Sequence, residues 1–234
     1  METTYIEIDS PDKHLSDVLE EIPSNVILYK TLTGIGATYS EIKAQRHSII
    51  IEPNVPVIIG KCNSAKHKND NLLGVYEGVT TDRIIKYLGA SRGKYYKILT
   101  TPESFTKVKD AFLIFNGKIY NTCFLLIDEA HKTIKDVDYR SDIVLPMNDF
   151  FKFKGKALVS ATPLKFSDPR FEENGFSIIK IEPTYDYAKE IDIKPSTNIL
   201  REVWEEFGWM PFITGQDKDR PFFIFINSVD IIYS

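Results

Sequence analysis

Two adjacent carboxylates, Asp128 and Glu129, directly follow an apolar run at residues 125–127. Acids at the carboxyl end of a parallel strand lie at the edge of the sheet where open α/β folds bind ligands. Hydrolysis of a nucleoside triphosphate needs one carboxylate to hold Mg²⁺ and another to orient or deprotonate water. The pattern predicts the first role for Asp128 and the second for Glu129. The plainer alternative is a helix start, where acids only complement the helix dipole.

A glycine-containing loop stands between a strand-like run and a helix-like segment. Gly34 and Gly36 allow the backbone to approach phosphate oxygens, and amide groups at a helix start can donate hydrogen bonds to them. The hydroxyl of Thr38 is placed to serve as a further magnesium ligand. The predicted phosphate-binding loop consists of Thr33, Gly34, Ile35, Gly36, Ala37 and Thr38.

The elements that must position these residues alternate along the chain. Short, nearly continuous Val/Ile/Leu runs are typical of strands covered on both faces, and their alternation with helices predicts a parallel sheet in an α/β domain. The predicted strands are residues 26–29, 48–51, 97–100, 123–127, 157–160 and 177–181. The predicted helices are residues 15–21, 38–45, 81–88, 103–111 and 142–151.

Composition limits the class of protein. The chain has 234 residues, of which 43% are hydrophobic and 26% charged, values too apolar for a disordered protein. No apolar stretch reaches the ~18 residues that span a bilayer, and residues 1–10 do not resemble a secretory signal. Two cysteines are too few for a disulfide framework, and His14, His47 and His67 lack metal-ligand spacing and are interpreted as surface residues. We expect a cytoplasmic protein that does not contact membranes.

Charge is unevenly distributed along the chain. The net charge is −4, yet residues 61–97 contain eight basic and three acidic residues. Local fields rather than net charge govern the binding of phosphate backbones. The basic segment, residues 61–97, therefore permits nucleic-acid binding, although a solvated surface is the plainer interpretation.

The run Asp128-Glu129-Ala130-His131 resembles motif II, the Walker B box, of superfamily 2 helicases of the DEAD/DEAH type. The resemblance extends to other motifs in the family's order. Residues 50–53 stand where motif Ia would be, residues 100–104 resemble motif Ib, and Ser160-Ala161-Thr162 resembles motif III.

The resemblance implies a RecA-like P-loop NTPase lobe at residues 1–181, with a mainly parallel central sheet flanked by helices. It implies an irregular linker at 182–220 and the first strand of a truncated second lobe at 221–234. Its expected ligands are ATP, Mg²⁺ and DNA or RNA. The residues that would couple the nucleotide to nucleic acid are His131, Ser160, Ala161 and Thr162. The residues that would contact nucleic acid are Pro53, Thr100, Thr101, Pro102 and Glu103.

The loop departs from the family pattern Ala-x-Thr-Gly-x-Gly-Lys-Thr, because Ala37 stands where the lysine is expected and Thr31 replaces the first alanine. The family's lysine neutralises the β- and γ-phosphates during transfer. Lys30 immediately precedes the loop, and we hypothesise that its ammonium folds over the phosphates instead. Such loops resemble those of helicase-like proteins of phages and mobile elements. A surface lysine, or a site that binds nucleotide without hydrolysis, is the alternative.

In the family a second lobe supplies an arginine to the nucleotide. The resemblance therefore implies an ATP-binding helicase or translocase lobe that is weakly active or inactive alone and that needs a second lobe in cis or a partner in trans. The sequence leaves open whether the chain acts as an enzyme. The alternative is a non-catalytic, helicase-derived module that binds nucleic acid or protein. An unrelated nucleotide-binding enzyme such as a kinase is disfavoured by residues 160–162.

Overall fold

The computed structural model describes residues 1–32, 34–135, 145–162 and 168–186, together with Arg201. The described residues up to 186 belong to one compact unit, Met1–Tyr187. Thr33, the predicted linker from residue 187 onward and the predicted strand at 221–234 lie outside the described residues, so the predicted domain boundaries remain predictions.

The described chain forms an eight-stranded sheet in which every pair of neighbouring strands is parallel. The strand order is β1-β8-β2-β7-β6-β3-β5-β4. This confirms the predicted α/β class with a parallel central sheet flanked by helices. The strands are β1 Thr3–Ile8, β2 Val26–Lys30, β3 His47–Ile51, β4 Leu72–Val75, β5 Lys97–Thr100, β6 Cys123–Ile127, β7 Gly155–Ser160 and β8 Ser177–Pro183.

Helices cover both faces of the sheet, as its apolar strands require. One face packs against α1, α2 and α3 through Leu15, Ile42 and Ile58, and the other packs mainly against α4 and α5 and the aromatic side chains near α8 and α9. The helices are α1 Leu15–Val18, α2 Ala37–Lys43, α3 Val55–Asn63, α4 Thr81–Ala90, α5 Phe105–Phe115, α6 Ile119–Thr122, α7 Ala130–Lys135, α8 Leu145–Phe150 and α9 Arg170–Glu173. None of the helices in the described ranges is long and apolar enough to cross a bilayer.

Two strands were not predicted. The first, β1, lies at one edge of the sheet and is mostly exposed, so it lacks the continuous apolar run that marks the central strands. The other, β4, contains Gly74, where a Cβ would lie 2.9 Å from Cγ2 of Ile58. Glycine therefore allows α3 to approach β4 closely, at the cost of a weaker strand signal in the sequence.

Candidate functional site

Three charged side chains are brought to one face of the sheet by the alternation of strand residues. Lys30 ends β2, while Glu52 and Asp128 directly follow β3 and β6. Residues two apart on a strand share a face of the sheet. The residue two positions before each of these charged residues is apolar and is buried in the same cluster as Ile35 and Ala37. Those three apolar residues are Leu28, Ile50 and Leu126.

The ammonium of Lys30 bridges the two predicted catalytic acids. Its Nζ lies 3.0 Å from Oδ1 of Asp128 and 2.7 Å from Oε1 of Glu129. Lys30 and Asp128 are 6% and 3% exposed, so this is a buried ion pair rather than a surface contact. Lys30 is therefore not a surface lysine, and its ammonium is in direct contact with the acidic pair.

The Lys30 side chain is charged in this setting. Burial by itself disfavours the ammonium, but the charge of Asp128 and the hydrogen bonds to Glu129 and Asp128 outweigh it and raise the pKa of Lys30 above its usual value. The site thus holds a fixed positive charge beside the glycine loop.

Both glycines of the loop adopt a backbone conformation that favours glycine. Gly34 and Gly36 have φ angles of 83° and 89°, a left-handed conformation that glycine adopts without steric cost. Gly36 caps the N-terminus of α2, whose first residue is Ala37. The next residue, Thr38, donates its hydroxyl hydrogen bond to Oδ2 of Asp128. The loop and the acidic pair are therefore in direct contact.

These residues line a cleft of about 1120 Å³, large enough for a nucleotide. The lining residues come from the glycine loop, the acidic pair, α3 and the residues that follow α3. The lining side chains that carry charge or can carry it are His14, Asp17, Lys30, Glu52, Lys61, Lys66, His67, Asp128, Glu129 and Lys132.

The oxygen atoms of Thr38 and Asp128 fit a magnesium ion. A hydroxyl and a carboxylate are hard oxygen donors, and Mg²⁺ usually takes one or two such protein ligands beside phosphates and water. Within the described ranges no three His, Cys, Asp or Glu side chains converge as a metal cluster. Magnesium at this site would therefore take its other ligands from a nucleotide and from water.

Glu52 was missed as a site residue. It is 3% exposed and lines the same cleft. Burial, together with repulsion from Asp128 and Glu129, raises the pKa of the Glu52 carboxyl. The available signal was its position directly after a strand, the same signal that identified Asp128.

The predicted coupling residues meet at the end of β7. Nδ1 of His131 lies 3.2 Å from Oγ of Ser160, and that hydroxyl donates a 2.7 Å hydrogen bond to the carbonyl oxygen of Thr162. Nδ1 of His131 also lies 3.5 Å from Oε2 of Glu129. His131 thus connects the acidic pair to the segment that contains Ala161.

The residues predicted to contact nucleic acid differ in exposure. Thr100, Thr101 and Pro102 are buried, while Pro53 is half-buried and Glu103 is exposed. The hydroxyls of the two threonines form hydrogen bonds within their own loop. The Thr100 hydroxyl donates to the carbonyl oxygen of Thr101, and the Thr101 hydroxyl accepts from the amide of residue 104. A contact of this loop with nucleic acid remains a prediction.

The basic segment is only partly a solvated surface. Lys97 is buried and donates to the carbonyl oxygens of Glu41 and Ala44, so it holds the end of α2 rather than a ligand. His67 is also buried, 2.8 Å from Oδ2 of Asp70, so its interpretation as a surface residue is wrong. The exposed basic side chains of the segment are Lys66, Lys68, Arg83, Lys86, Arg92 and Lys94.

No protein-family model and no curated protein matches the sequence. Several solved structures resemble the chain. One, a hypothetical ATP-dependent RNA helicase from Sulfolobus tokodaii, is 17% identical, with a TM-score of 0.46 over 67% of this chain and 48% of that chain.

Two further structures show similar values. The Hef helicase domain of Pyrococcus furiosus is 14% identical, with a TM-score of 0.48 over 74% of this chain and 38% of that chain. A DEAD box protein from Methanococcus jannaschii is 20% identical, with a TM-score of 0.43 over 67% of this chain and 45% of that chain. The chain spans less than half the length of each of the three proteins.

Proposed function

We propose that the chain carries the ATP·Mg²⁺-binding lobe of a superfamily 2 DEAD/DEAH-type helicase or translocase, in which Lys30 replaces the missing lysine of the phosphate loop. The observation that supports this best is the Lys30 ammonium, buried between Asp128 and Glu129 beside the glycine loop. A cation at that position can neutralise phosphate charge that Ala37 cannot.

Each part of the cleft has a role in this proposal. The amide groups at the start of α2 bind phosphate oxygens, and Thr38 and Asp128 hold the magnesium ion. Bound magnesium would supply charge neutralisation at the phosphates. Lys30 moves from the acids toward the phosphates when the nucleotide binds, while Glu129 stays the sequence-based candidate for activating water.

DNA or RNA contacts the basic segment outside the nucleotide cleft, mainly through exposed side chains that do not line the cleft: Lys68, Arg83, Lys86, Arg92 and Lys94. This contact is electrostatic, so we propose that its affinity falls steeply as salt concentration rises. The connection from Glu129 through His131 to Ser160 is the route by which nucleic acid influences the nucleotide.

The test is ATP binding and turnover by the whole chain, with and without single- or double-stranded DNA or RNA. We expect binding that requires Mg²⁺ and slow turnover that nucleic acid accelerates. A chain that binds no nucleotide would contradict the proposal. Nucleotide binding without turnover, even in the presence of nucleic acid, would favour the non-catalytic module. The observation that supports this alternative is that Lys30 pairs with both acids.

A further inference from the structure

His67 and Asp70 form a polar pair in the short segment between α3 and β4. Nδ1 of His67 lies 2.8 Å from Oδ2 of Asp70, and the ammonium of Lys43 lies 2.8 and 2.7 Å from the two oxygens of the same carboxylate. The imidazole also contacts the ring of Tyr39 in α2, with 5.4 Å between the ring centroids. Contacts with two different elements thus fix the His67 ring, which is 7% exposed.

The second ring nitrogen of His67 is accessible. Within the described ranges, the buried side-chain nitrogen or oxygen atoms that lack a hydrogen-bond partner are Oδ1 of Asn25 and Oγ of Ser40. Nε2 of His67 has no partner in those ranges either, but it is not one of these buried atoms, so it reaches the solvent-accessible surface. Because His67 lines the cleft, Nε2 is open to a ligand there.

The pairing with Asp70 determines what Nε2 can bind. Burial disfavours the charged carboxylate of Asp70, but the hydrogen bonds from Lys43 and His67 outweigh it and lower the pKa of Asp70. An ionised carboxylate only accepts hydrogen bonds, so Nδ1 of His67 carries the proton. In the neutral imidazole, Nε2 is then an acceptor. A ligand at this position must offer a donor, such as a hydroxyl group.

Positive charge accompanies this acceptor in the cleft. Lys61 of α3 and Lys66 line the same cleft, and neither ammonium is paired with an acid within the described ranges. Lys68 is exposed and follows His67 directly, so it connects the cleft to the rest of the basic segment. A ligand that satisfies both features carries phosphate groups next to a hydroxyl, as each nucleotide of an RNA strand does.

We infer that the chain prefers RNA to DNA, and that His67 makes this distinction by accepting a hydrogen bond from a ribose 2′-hydroxyl. This inference rests on the proposed binding of nucleic acid. Lys61 and Lys66 neutralise neighbouring phosphates of the strand, and Lys68 continues the contact outside the cleft. A strand matches these charges because it carries one phosphate per nucleotide, whereas the phosphates of ATP lie at the glycine loop in our proposal. DNA lacks the hydroxyl and leaves Nε2 without a donor.

The experiment measures the equilibrium affinity of the whole chain for three labelled single strands of one base sequence, at pH 8. The strands are RNA, DNA with deoxyuridine in place of thymidine, and 2′-fluoro RNA, which keeps the ribose conformation but has no hydroxyl to donate. We expect the wild type to bind RNA about fivefold more tightly than either of the other strands. Equal affinity for RNA and 2′-fluoro RNA would overturn the inference without the use of any variant.

His67→Phe keeps a ring beside Tyr39 but removes both nitrogens. We expect this variant, once circular dichroism has shown that it is folded, to bind all three strands with the affinity that the wild type has for DNA. Lys68→Gln is the control. It should weaken the binding of RNA and DNA by similar factors and keep the preference for RNA, because it removes only a phosphate contact. A preference for RNA that persists in His67→Phe would overturn the inference.

The remaining outcomes separate this inference from the proposed function. Equal binding of RNA and DNA by the wild type would overturn the inference and leave the proposed function standing. A chain that binds no strand would overturn the proposed binding of nucleic acid together with the inference. Binding of ATP and of 2′-deoxy-ATP, each with Mg²⁺, is compared in parallel. A preference for ATP that His67→Phe removes, with the strand preference unchanged, would assign the acceptor to the nucleotide and overturn the inference.

Discussion

The Lys30 ammonium lies 2.7 Å from Oε1 of Glu129, although the two residues are 99 positions apart in the sequence. Their meeting depends on the strand order, which separates β2 from β6 by β7 alone. Together with Asp128, they form a compact charge cluster that lines the cleft. Lys30 therefore has two roles in our account: it stabilises the folded site and supplies positive charge for phosphates.

The stabilising role predicts a loss of folding free energy in Lys30→Met. Removal of the ammonium leaves Asp128 and Glu129 without their shared buried cation, and breaking a buried pair in this way costs about 3 kcal/mol. Urea unfolding monitored by circular dichroism measures this loss. Lys118→Met, at an exposed position, is the control and should change little. Equal stability of the two variants would show that the ion pair does not stabilise the fold.

The left-handed backbone of Gly36 predicts that a larger residue there weakens nucleotide binding. Alanine there would have to adopt the left-handed φ of 89°, which costs about 1–2 kcal/mol. We expect Gly36→Ala to bind ATP·Mg²⁺ at least several-fold more weakly in fluorescence titrations. Gly89→Ala is the control, because Gly89 lies in α4 with open space around it and the change should raise stability by about 0.5–1 kcal/mol. Unchanged affinity in Gly36→Ala would contradict the role assigned to the loop.

Lys97 predicts a pH dependence of stability. Burial lowers the pKa of the Lys97 ammonium to about 8, against the usual 10.5, while the charge of Glu41 raises this pKa and that of Arg46 lowers it. Between these values the unfolded chain binds more protons than the folded chain, so stability rises with pH. From about pH 7.5 to about pH 9.5 the wild type should gain on the order of 1–2 kcal/mol relative to Lys97→Met. Urea unfolding of both proteins measures this gain. A difference in unfolding free energy between them that stays constant from about pH 7.5 to about pH 9.5 would contradict the prediction.

The contact between His131 and Ser160 predicts a coupling defect. Ser160→Ala removes the hydroxyl that lies 3.2 Å from Nδ1 of His131. We expect the stimulation of ATP turnover by nucleic acid to fall by about fivefold, equivalent to ~1 kcal/mol of coupling, while turnover without nucleic acid changes little. A loss of basal turnover with unchanged stimulation would instead assign Ser160 to the chemistry.

The central strands were predictable because buried parallel strands require continuous apolar side chains. The same residues predicted that Asp128 would lie at the ligand-binding edge. The ion pair of Lys30 was not predictable from spacing, since it requires the strand order. Lys97 was counted as a surface base because its sequence context does not reveal that the end of α2 packs above it. Glu52 was assigned to a motif although it directly follows a strand, and the β3–β6 register places that position beside Asp128.

Nucleotide binding should depend on Lys30, which we propose replaces the lysine missing at position 37. The most direct measurement is the equilibrium affinity for ATP·Mg²⁺ of four proteins: the wild type, Lys30→Met, Ala37→Lys and the double variant, each at a temperature where it is folded. We expect Lys30→Met to lose at least about tenfold in affinity. Ala37 lines the cleft, so the lysine of the double variant should reach the phosphates and restore most of the loss. Wild-type affinity in Lys30→Met would contradict the claim.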